Sequence, residues 1–203
     1  MTDPDTGDRR ASQVLWFYGA DAVGKSTVGW NAYTILIERQ AQVAYVDTDY
    51  LSFCHPAPSD PAALIADTLA AVWAVYRARG ADQLVVSGIV VTAEDRDKLT
   101  AAIPDARFIF CRLTASPATI RRRILARREA EAATQNTTLT LEVRSELEQY
   151  GHRSVEFAKL LESFALEDFA LATDDRTPQE LAAEAVEQFL ATPNPSPSNT
   201  HPC

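Results

Sequence analysis

Gly19-Ala20-Asp21-Ala22-Val23-Gly24-Lys25-Ser26-Thr27 decides the reading of this chain. It follows the apolar run Val14-Leu15-Trp16-Phe17-Tyr18 and leads into a helix-compatible segment, so the order strand, glycine loop, helix is met. A polyphosphate needs a concave surface of backbone N–H donors at a helix N-terminus, and Gly19 and Gly24 permit the positive φ angles and close approach this requires. Lys25 is placed to reach the β- and γ-phosphates and the Ser26 hydroxyl to ligand Mg²⁺, the pattern of a Walker A P-loop. The competing reading is a plain glycine turn with a solvated lysine; the strand and helix on either side speak against it.

Outward from the loop, the 203 residues suffice for one domain, and 46% hydrophobic content gives it a sizeable core. A net charge of −9 argues against a protein that wraps nucleic acid or lies on an anionic membrane. No run of 18 apolar residues occurs and the first ten residues are polar, so a cytoplasmic protein is expected. Cys54, Cys111 and Cys203 lie far apart without zinc or CxxC spacing and read as structural thiols; Cys54-His55 lacks a second ligand pair.

Residues 1–11 read as a disordered lead-in, 12–191 as the domain, and 192–203 as a Pro/Ser/Asn tail that builds no core. Within the domain, apolar runs at Gln13–Tyr18, Gln42–Asp47, Gln83–Ile89, Arg107–Leu113 and Asp168–Thr173 alternate with helical segments. Runs this continuous suit strands buried on both faces, hence a parallel sheet between helix layers in a three-layer α/β domain. Asp60-Pro61, Ser116-Pro117 and Thr177-Pro178-Gln179-Glu180 each open a helix with a cap and a proline at its first position.

The second strand ends in Asp47-Thr48-Asp49. Ligands of open parallel sheets sit beyond the carboxyl ends of the strands, so these carboxylates can meet the γ-phosphate, and a spacing of two puts both on one side if the strand persists. Asp47 is expected to support Mg²⁺ and Asp49 to orient and deprotonate an acceptor hydroxyl. The third strand offers only Ser87 where many P-loop proteins have an aspartate, which strengthens the case for Asp47. A turn that both aspartates merely cap is the alternative.

Arg121, Arg122, Arg123, Arg127 and Arg128 crowd one predicted helix, with Arg123 and Arg127 four apart on one face. Arginines over a γ-phosphate stabilise the charge on its oxygens, and Ala130–Thr140, poor in large apolar residues, suits a lid. A solvated helix face paired to Glu129 and Glu131 is the other reading, and Arg112 at the end of the fourth strand is equally open. Tyr50–Ser59, with His55, suits a partly apolar acceptor pocket; Trp73 and Tyr76 read as core. No arginine falls between Tyr50 and Val75, which favours a neutral or weakly charged acceptor, with Arg153 as a possible exception.

With these residues in place the chain resembles the small P-loop kinases that include shikimate, gluconate and adenylylsulfate kinases and chloramphenicol phosphotransferase. Four parts of residues 12–191 carry the resemblance: Gly19–Thr27, Asp47-Thr48-Asp49, Leu113 through Arg123 to Arg127, and Ala172-Thr173-Asp174-Asp175-Arg176-Thr177-Pro178-Gln179-Glu180. It also resembles actinobacterial proteins of this size described as AAA family ATPases, a label that reports the P-loop and little else. The resemblance implies a P-loop NTPase fold with a five-stranded parallel sheet in the order 2-3-1-4-5 and an arginine-bearing lid. It implies that Asp47 and Asp49 serve metal and acceptor, that Arg123 and Arg127 contact adenine and phosphates, and that Asp175 and Arg176 lie in a loop flanking adenine. The Gly-Gly-Gly of shikimate kinase is replaced by Val86-Ser87-Gly88-Ile89, so no particular acceptor carries over. The expectation is an ATP- and Mg²⁺-dependent kinase that phosphorylates a hydroxyl of a small molecule. A nucleoside or nucleotide kinase and a non-transferase nucleotide switch are the alternatives.

Overall fold

The computed structural model describes residues 12–191; the lead-in expected over 1–11 and the tail over 192–203 lie outside the described residues. Strand β1 (Ser12–Tyr18) is buried along its whole length, because it sits at the centre of a five-stranded sheet. β2 (Val43–Asp47), β3 (Gln83–Ser87), β4 (Ala106–Thr114) and β5 (Phe169–Ala172) complete the order β2-β3-β1-β4-β5. Every pairing is parallel, so both the sheet and its strand order agree with expectation.

Alternation along β1 divides the core between the two faces of the sheet. Leu15 and Phe17 face α1 (Lys25–Glu38), α4 (Pro117–Thr134), α5 (Leu141–Phe164) and α6 (Pro178–Ala191) through Ala32, Ile120, Val155 and Phe189. Val14, Trp16 and Tyr18 face α2 (Pro61–Arg77) and α3 (Ala93–Ala101) through Leu69, Trp73 and Leu99. Trp73 is therefore core, as expected, and Tyr76 packs against the same cluster.

The expected helix starts are present. Asp60 accepts from the Ala63 N–H at 3.0 Å and Ser116 from the Thr119 N–H at 3.2 Å, each with proline in the first turn. Thr177 and Glu180 cap one another reciprocally, the Glu180 N–H donating to the Thr177 hydroxyl at 3.2 Å and the Thr177 N–H to Glu180 at 2.8 Å.

Strand ends shift by a residue from the sequence reading at β1, β2, β4 and β5, and three differences are larger. β3 stops at Ser87 rather than Ile89, and Gly88 then packs against Thr48 so closely that a Cβ there would lie 1.8 Å from the Thr48 hydroxyl. α3 was not expected; a Thr92–Asp95 capping box starts it, but Leu99 is its one buried residue, so its sequence carries almost no apolar periodicity. Half of the stretch expected as a lid is helix: α4 continues to Thr134 with Ala132 buried, and only residues 135–140 connect it to α5.

Candidate active site

The loop between β1 and α1 is built around two residues of its motif. Gly19 has φ +147°, and a Cβ on it would lie 2.4 Å from the Leu113 carbonyl oxygen, so the close approach of β4 requires glycine. Gly24 adopts a left-handed conformation and turns the chain into α1, whose first turn starts at Lys25. The Lys25 ammonium folds back over its own loop and donates to the carbonyls of Gly19 at 3.1 Å and Ala20 at 3.0 Å. Burial pulls its pKa below the ordinary lysine value, while the carboxylates of Asp21, Asp49 and Asp47 pull it back up.

Beside the loop lies a cleft of about 400 Å³ lined by residues 21–28 together with Asp49, Arg123, Arg127, Thr173, Arg176, Pro178 and Leu181. Of the residues singled out in the sequence, this cleft gathers Asp21, Ala22, Val23, Gly24, Lys25, Ser26, Thr27, Asp49, Arg123, Arg127 and Arg176. Gly19 and Ala20 instead line a second cavity behind the loop, against β4 and α5. Asp47 and Asp175 are not among the residues lining the cleft.

Asp49 reaches the cleft by a route the spacing did not anticipate. β2 ends at Asp47, whose carboxylate accepts from the Asp49 N–H at 3.1 Å and caps a 3₁₀ turn over Thr48–Leu51. That turn, and not strand alternation, aims Asp49. Burial raises the pKa of the Asp49 carboxyl, and the neighbouring Asp47 raises it further against the opposing pull of Lys25. Behind the pair, the Tyr45 hydroxyl lies 2.8 Å from the Ser87 hydroxyl and donates to the Ser26 carbonyl at 3.4 Å. Burial pushes the Tyr45 phenol up to about 12, so it stays protonated as a donor. Sequence reasoning passed over Tyr45; its place in the strand two residues before Asp47 was the available signal.

The oxygen donors present suit Mg²⁺. The ion takes one or two protein oxygens and completes its octahedron with phosphates and water. Ser26 in the first turn of α1 and Asp47 at the end of β2 are such oxygen donors; the Asp47 carboxylate also accepts from the Asp49 N–H and shares a side-chain hydrogen bond with Tyr45. Among the described residues no group of three or more His, Cys, Asp or Glu is gathered into a metal-binding cluster.

The five clustered arginines separate. The Arg123 guanidinium donates to the Thr173 hydroxyl and to the Thr173 carbonyl, both at 2.9 Å, and more weakly to the Ala22 carbonyl at 3.3 Å. Arg127 stands at the cleft with its side chain 77% exposed and its Nε 3.9 Å from a Glu131 carboxylate oxygen, a long solvent-exposed pair. Arg128 instead pairs with Glu131, and Arg121 and Arg122 line a separate hollow against α5. Gly151 of α5 allows that contact, since a Cβ there would lie 2.9 Å from the Arg121 side chain. Arg112 belongs to the fold: it is buried and paired with Glu167 at 2.8 Å.

The loop after β5 frames the other side of the site. Asp174 accepts from the Ser116 N–H at 2.9 Å and the Ser116 hydroxyl at 2.7 Å, and hydrogen bonds from Thr119 and Ser116 hold its carboxyl at about 2. Asp175 takes a left-handed conformation, and Arg176 lines the cleft while pairing with Glu184 at 2.6 Å. Tyr150 of α5, which the sequence did not mark, donates to the Asp21 carboxylate at 2.7 Å and links that helix to the loop. Of the stretch expected as an acceptor pocket, Tyr50 and Phe53 are exposed and meet edge to face at 6.4 Å, His55 is exposed, and none of the three lines the cleft.

These features define a three-layer P-loop nucleotide-binding fold with its cleft at the carboxyl ends of β1 and β2. No protein-family model matches the chain, and no curated protein matches it. Solved structures do. The APS kinase of Mycobacterium tuberculosis, determined with AMPPNP and APS, is similar at 19% identity and TM-score 0.58, covering 91% of this chain and all of its own. A gluconokinase from Sinorhizobium meliloti is similar at 18% identity and TM-score 0.54, over 90% of this chain and 94% of its own. The shikimate kinase of Aquifex aeolicus is similar at 13% identity and TM-score 0.51, over 87% of this chain and 96% of its own. The chain thus has the fold of the small P-loop kinases, and at these identities the likeness speaks for the fold. No helix of the described residues is long and apolar enough to cross a membrane.

Proposed function

We propose that the protein is an ATP-dependent kinase that transfers the γ-phosphoryl group to a hydroxyl of a small molecule in the cytoplasm. The observation that carries this reading is the meeting of Lys25, Asp49, Arg123 and Arg127 in one cleft. A nucleotide switch needs a γ-phosphate sensor, whereas an acid poised beside the phosphate loop together with arginines over it is what transfer to an acceptor needs.

In this reading the N–H groups of residues 20–27 and the Lys25 ammonium hold the phosphates. Ser26 and Asp47 hold Mg²⁺, which when bound neutralises the charge on the β- and γ-oxygens. Asp49 accepts the proton of the acceptor hydroxyl as its oxygen bonds to the γ-phosphorus and the bond to the bridging oxygen of ADP breaks. Arg123, fixed by Thr173, anchors the phosphate side, and the exposed Arg127, held only by its 3.9 Å pair with Glu131, swings over the transferred group. Asp175 and Arg176 flank the adenine.

The test is ADP release from Mg·ATP, alone and with pooled hydroxyl metabolites, nucleosides and antibiotics, with Lys25→Ala as the blank. A pool that raises turnover at least about tenfold above the water rate, with Lys25→Ala lower by a factor of about 10² or more, is expected. Tight nucleotide binding with a slow hydrolysis that no pool stimulates would replace this reading with a nucleotide switch. Stimulation confined to the nucleosides would narrow it to a nucleoside kinase.

A further inference from the structure

The nucleotide cleft leaves one aromatic surface unused. β2 is an edge strand. Along it, Trp30 and Tyr33 of α1, Tyr45 of β2, Tyr76 of α2 and Arg79 in the turn after α2 line a groove of about 350 Å³. The ring centroids lie 5.2 Å apart for Trp30 and Tyr33, 5.5 Å for Trp30 and Tyr45, and 6.0 Å for Tyr33 and Tyr45, at mutual angles from 41° to 90°. Rings set at such angles form ridges with slots between them. Trp30 is 55% exposed, a large cost to leave in water for a residue that contributes so little to the core.

We propose that this groove is the docking site of residues 192–203 of the same chain. Three independent observations converge on that occupant. The first is position. α6 packs against α1, and Glu187 pairs with Arg39 just past the end of α1. Ala191 follows Glu187 by about one helical turn, roughly 6 Å, while the groove wall begins at Ala41, two residues after Arg39. The described chain therefore leaves α6 at the same end of α1 at which the groove opens.

The second is reach. Passing around the end of α1 takes about one helix diameter, roughly 10–12 Å. The 12 residues from 192 to 203 span up to about 37 Å at the ~3.1 Å per residue of an extended proline-rich segment. That length crosses beneath α1 and still lies along the strand from Ala41 to Tyr45.

The third is chemistry. The stretch Thr192-Pro193-Asn194-Pro195-Ser196-Pro197 alternates prolines with small polar residues, and 192–203 contains no Asp, Glu, Lys or Arg. Proline fixes its own φ and pushes the residue before it to extended conformations, so such a sequence has little backbone entropy to lose on binding. Aromatic-lined grooves bind proline segments for this reason, the pyrrolidine rings filling the slots between aromatic ridges.

Acrylamide quenching of tryptophan fluorescence decides the matter, because the chain has three tryptophans and two of them, Trp16 and Trp73, are buried at 0% and 6% exposure. Quenching therefore reports on Trp30, which Trp30→Phe confirms by removing it. The full chain is compared with one ending at Ala191 and with a full-length chain in which Pro193, Pro195 and Pro197 are changed to glycine. Truncation is expected to raise the quenching constant at least about twofold, as for a site passing from mostly covered to open, and the glycine variant to raise it in part. Equal quenching of all three chains overturns the proposal. So does protection of Trp30 that survives truncation and grows with protein concentration, which would make this face a contact between two copies.

Discussion

Arg123 and Thr173 are joined twice, the guanidinium donating to the threonine hydroxyl and to its carbonyl at 2.9 Å each. This pair of hydrogen bonds, made by a half-buried Arg123 to a buried Thr173 and extended to the Ala22 carbonyl, ties α4 and the loop after β5 to the phosphate loop.

Removing that tie affects ligand binding more than helix formation. Arg123→Ala leaves the Thr173 and Ala22 carbonyls without their donor, a penalty of about 1–3 kcal/mol, and ADP affinity is expected to fall about 10- to 100-fold by calorimetry. Arg123→Lys recovers little, because an ammonium cannot make two parallel bonds in one plane. Arg128→Ala, which loses only a solvent-exposed pair with Glu131, leaves ADP affinity unchanged.

Asp49 gives a pH signature with a defined direction. As the proposed base it must be ionised, and burial followed by the Asp47 charge raises its pKa, so the acid limb of the pH–rate profile lies above the ordinary aspartate range. Asp47→Asn removes the repelling neighbour, and the limb moves to lower pH even though the rate at the plateau falls. The same shift has a stability sign. A folded pKa above the unfolded one means that the group favours folding at low pH and that this contribution is lost as pH rises through the folded value. Asp49→Asn is therefore expected to abolish most transfer while raising Tm at neutral pH, by no more than about 2–4 °C for a solvent-screened site in a chain of this size. Full activity in Asp49→Asn would remove it from the catalytic role.

Arg112 and Glu167 supply a contrasting case, an ion pair that serves the fold. Glu167 accepts from Arg112 and from the Tyr18 hydroxyl, each at 2.8 Å. Burial alone would raise the Glu167 carboxyl, but its hydrogen bonds and the Arg112 charge outweigh that and hold it below the usual glutamate range. The stability it supplies is present above the unfolded glutamate value and lost as pH falls through the lowered folded one. Glu167→Ala strands a buried guanidinium, and a loss of about 3–5 kcal/mol, or roughly 6–20 °C in Tm, is expected together with a flatter acid limb of the unfolding profile. ADP affinity measured well below the new Tm stays within about twofold of the parent, since neither residue lines the cleft.

Sequence reasoning reached furthest where the physics is local. The inner strands were legible because both of their faces are covered, which forces continuous apolar runs, and the edge strands β2 and β5, buried on alternate residues only, because their runs stay apolar all the same; three helix starts were legible because their caps use side chains within three residues. α3 was missed for the opposite reason: charged residues fill it, and Leu99 alone anchors it. Within the stretch Ala130–Thr140, expected as a lid, α4 runs on to Thr134 with Ala132 buried, a continuation that its neighbours' polarity did not announce. Tyr45 and Tyr150 escaped notice because their partners, Ser87, Ser26 and Asp21, stand far away in the chain or on other elements.

The sequence by itself made the phosphate loop legible, since glycines at 19 and 24 and the lysine after them mark its backbone path, although the contact that demands glycine at 19, the Leu113 carbonyl, comes from β4. It also determined the layered α/β class, through apolar runs too continuous for a half-exposed sheet. Tertiary structure alone decided which of the clustered arginines reach the cleft. Arg121, Arg122, Arg123, Arg127 and Arg128 are chemically identical, and successive positions turn about 100° around the helix. What separates them is what each direction meets: Thr173 and the phosphate loop for Arg123, the cleft and a long pair with Glu131 for Arg127, Gly151 of α5 for Arg121 and a close pair with Glu131 for Arg128. Tertiary structure likewise aimed Asp49, because strand alternation ends at Asp47 and a capped turn packed on Gly88 takes over.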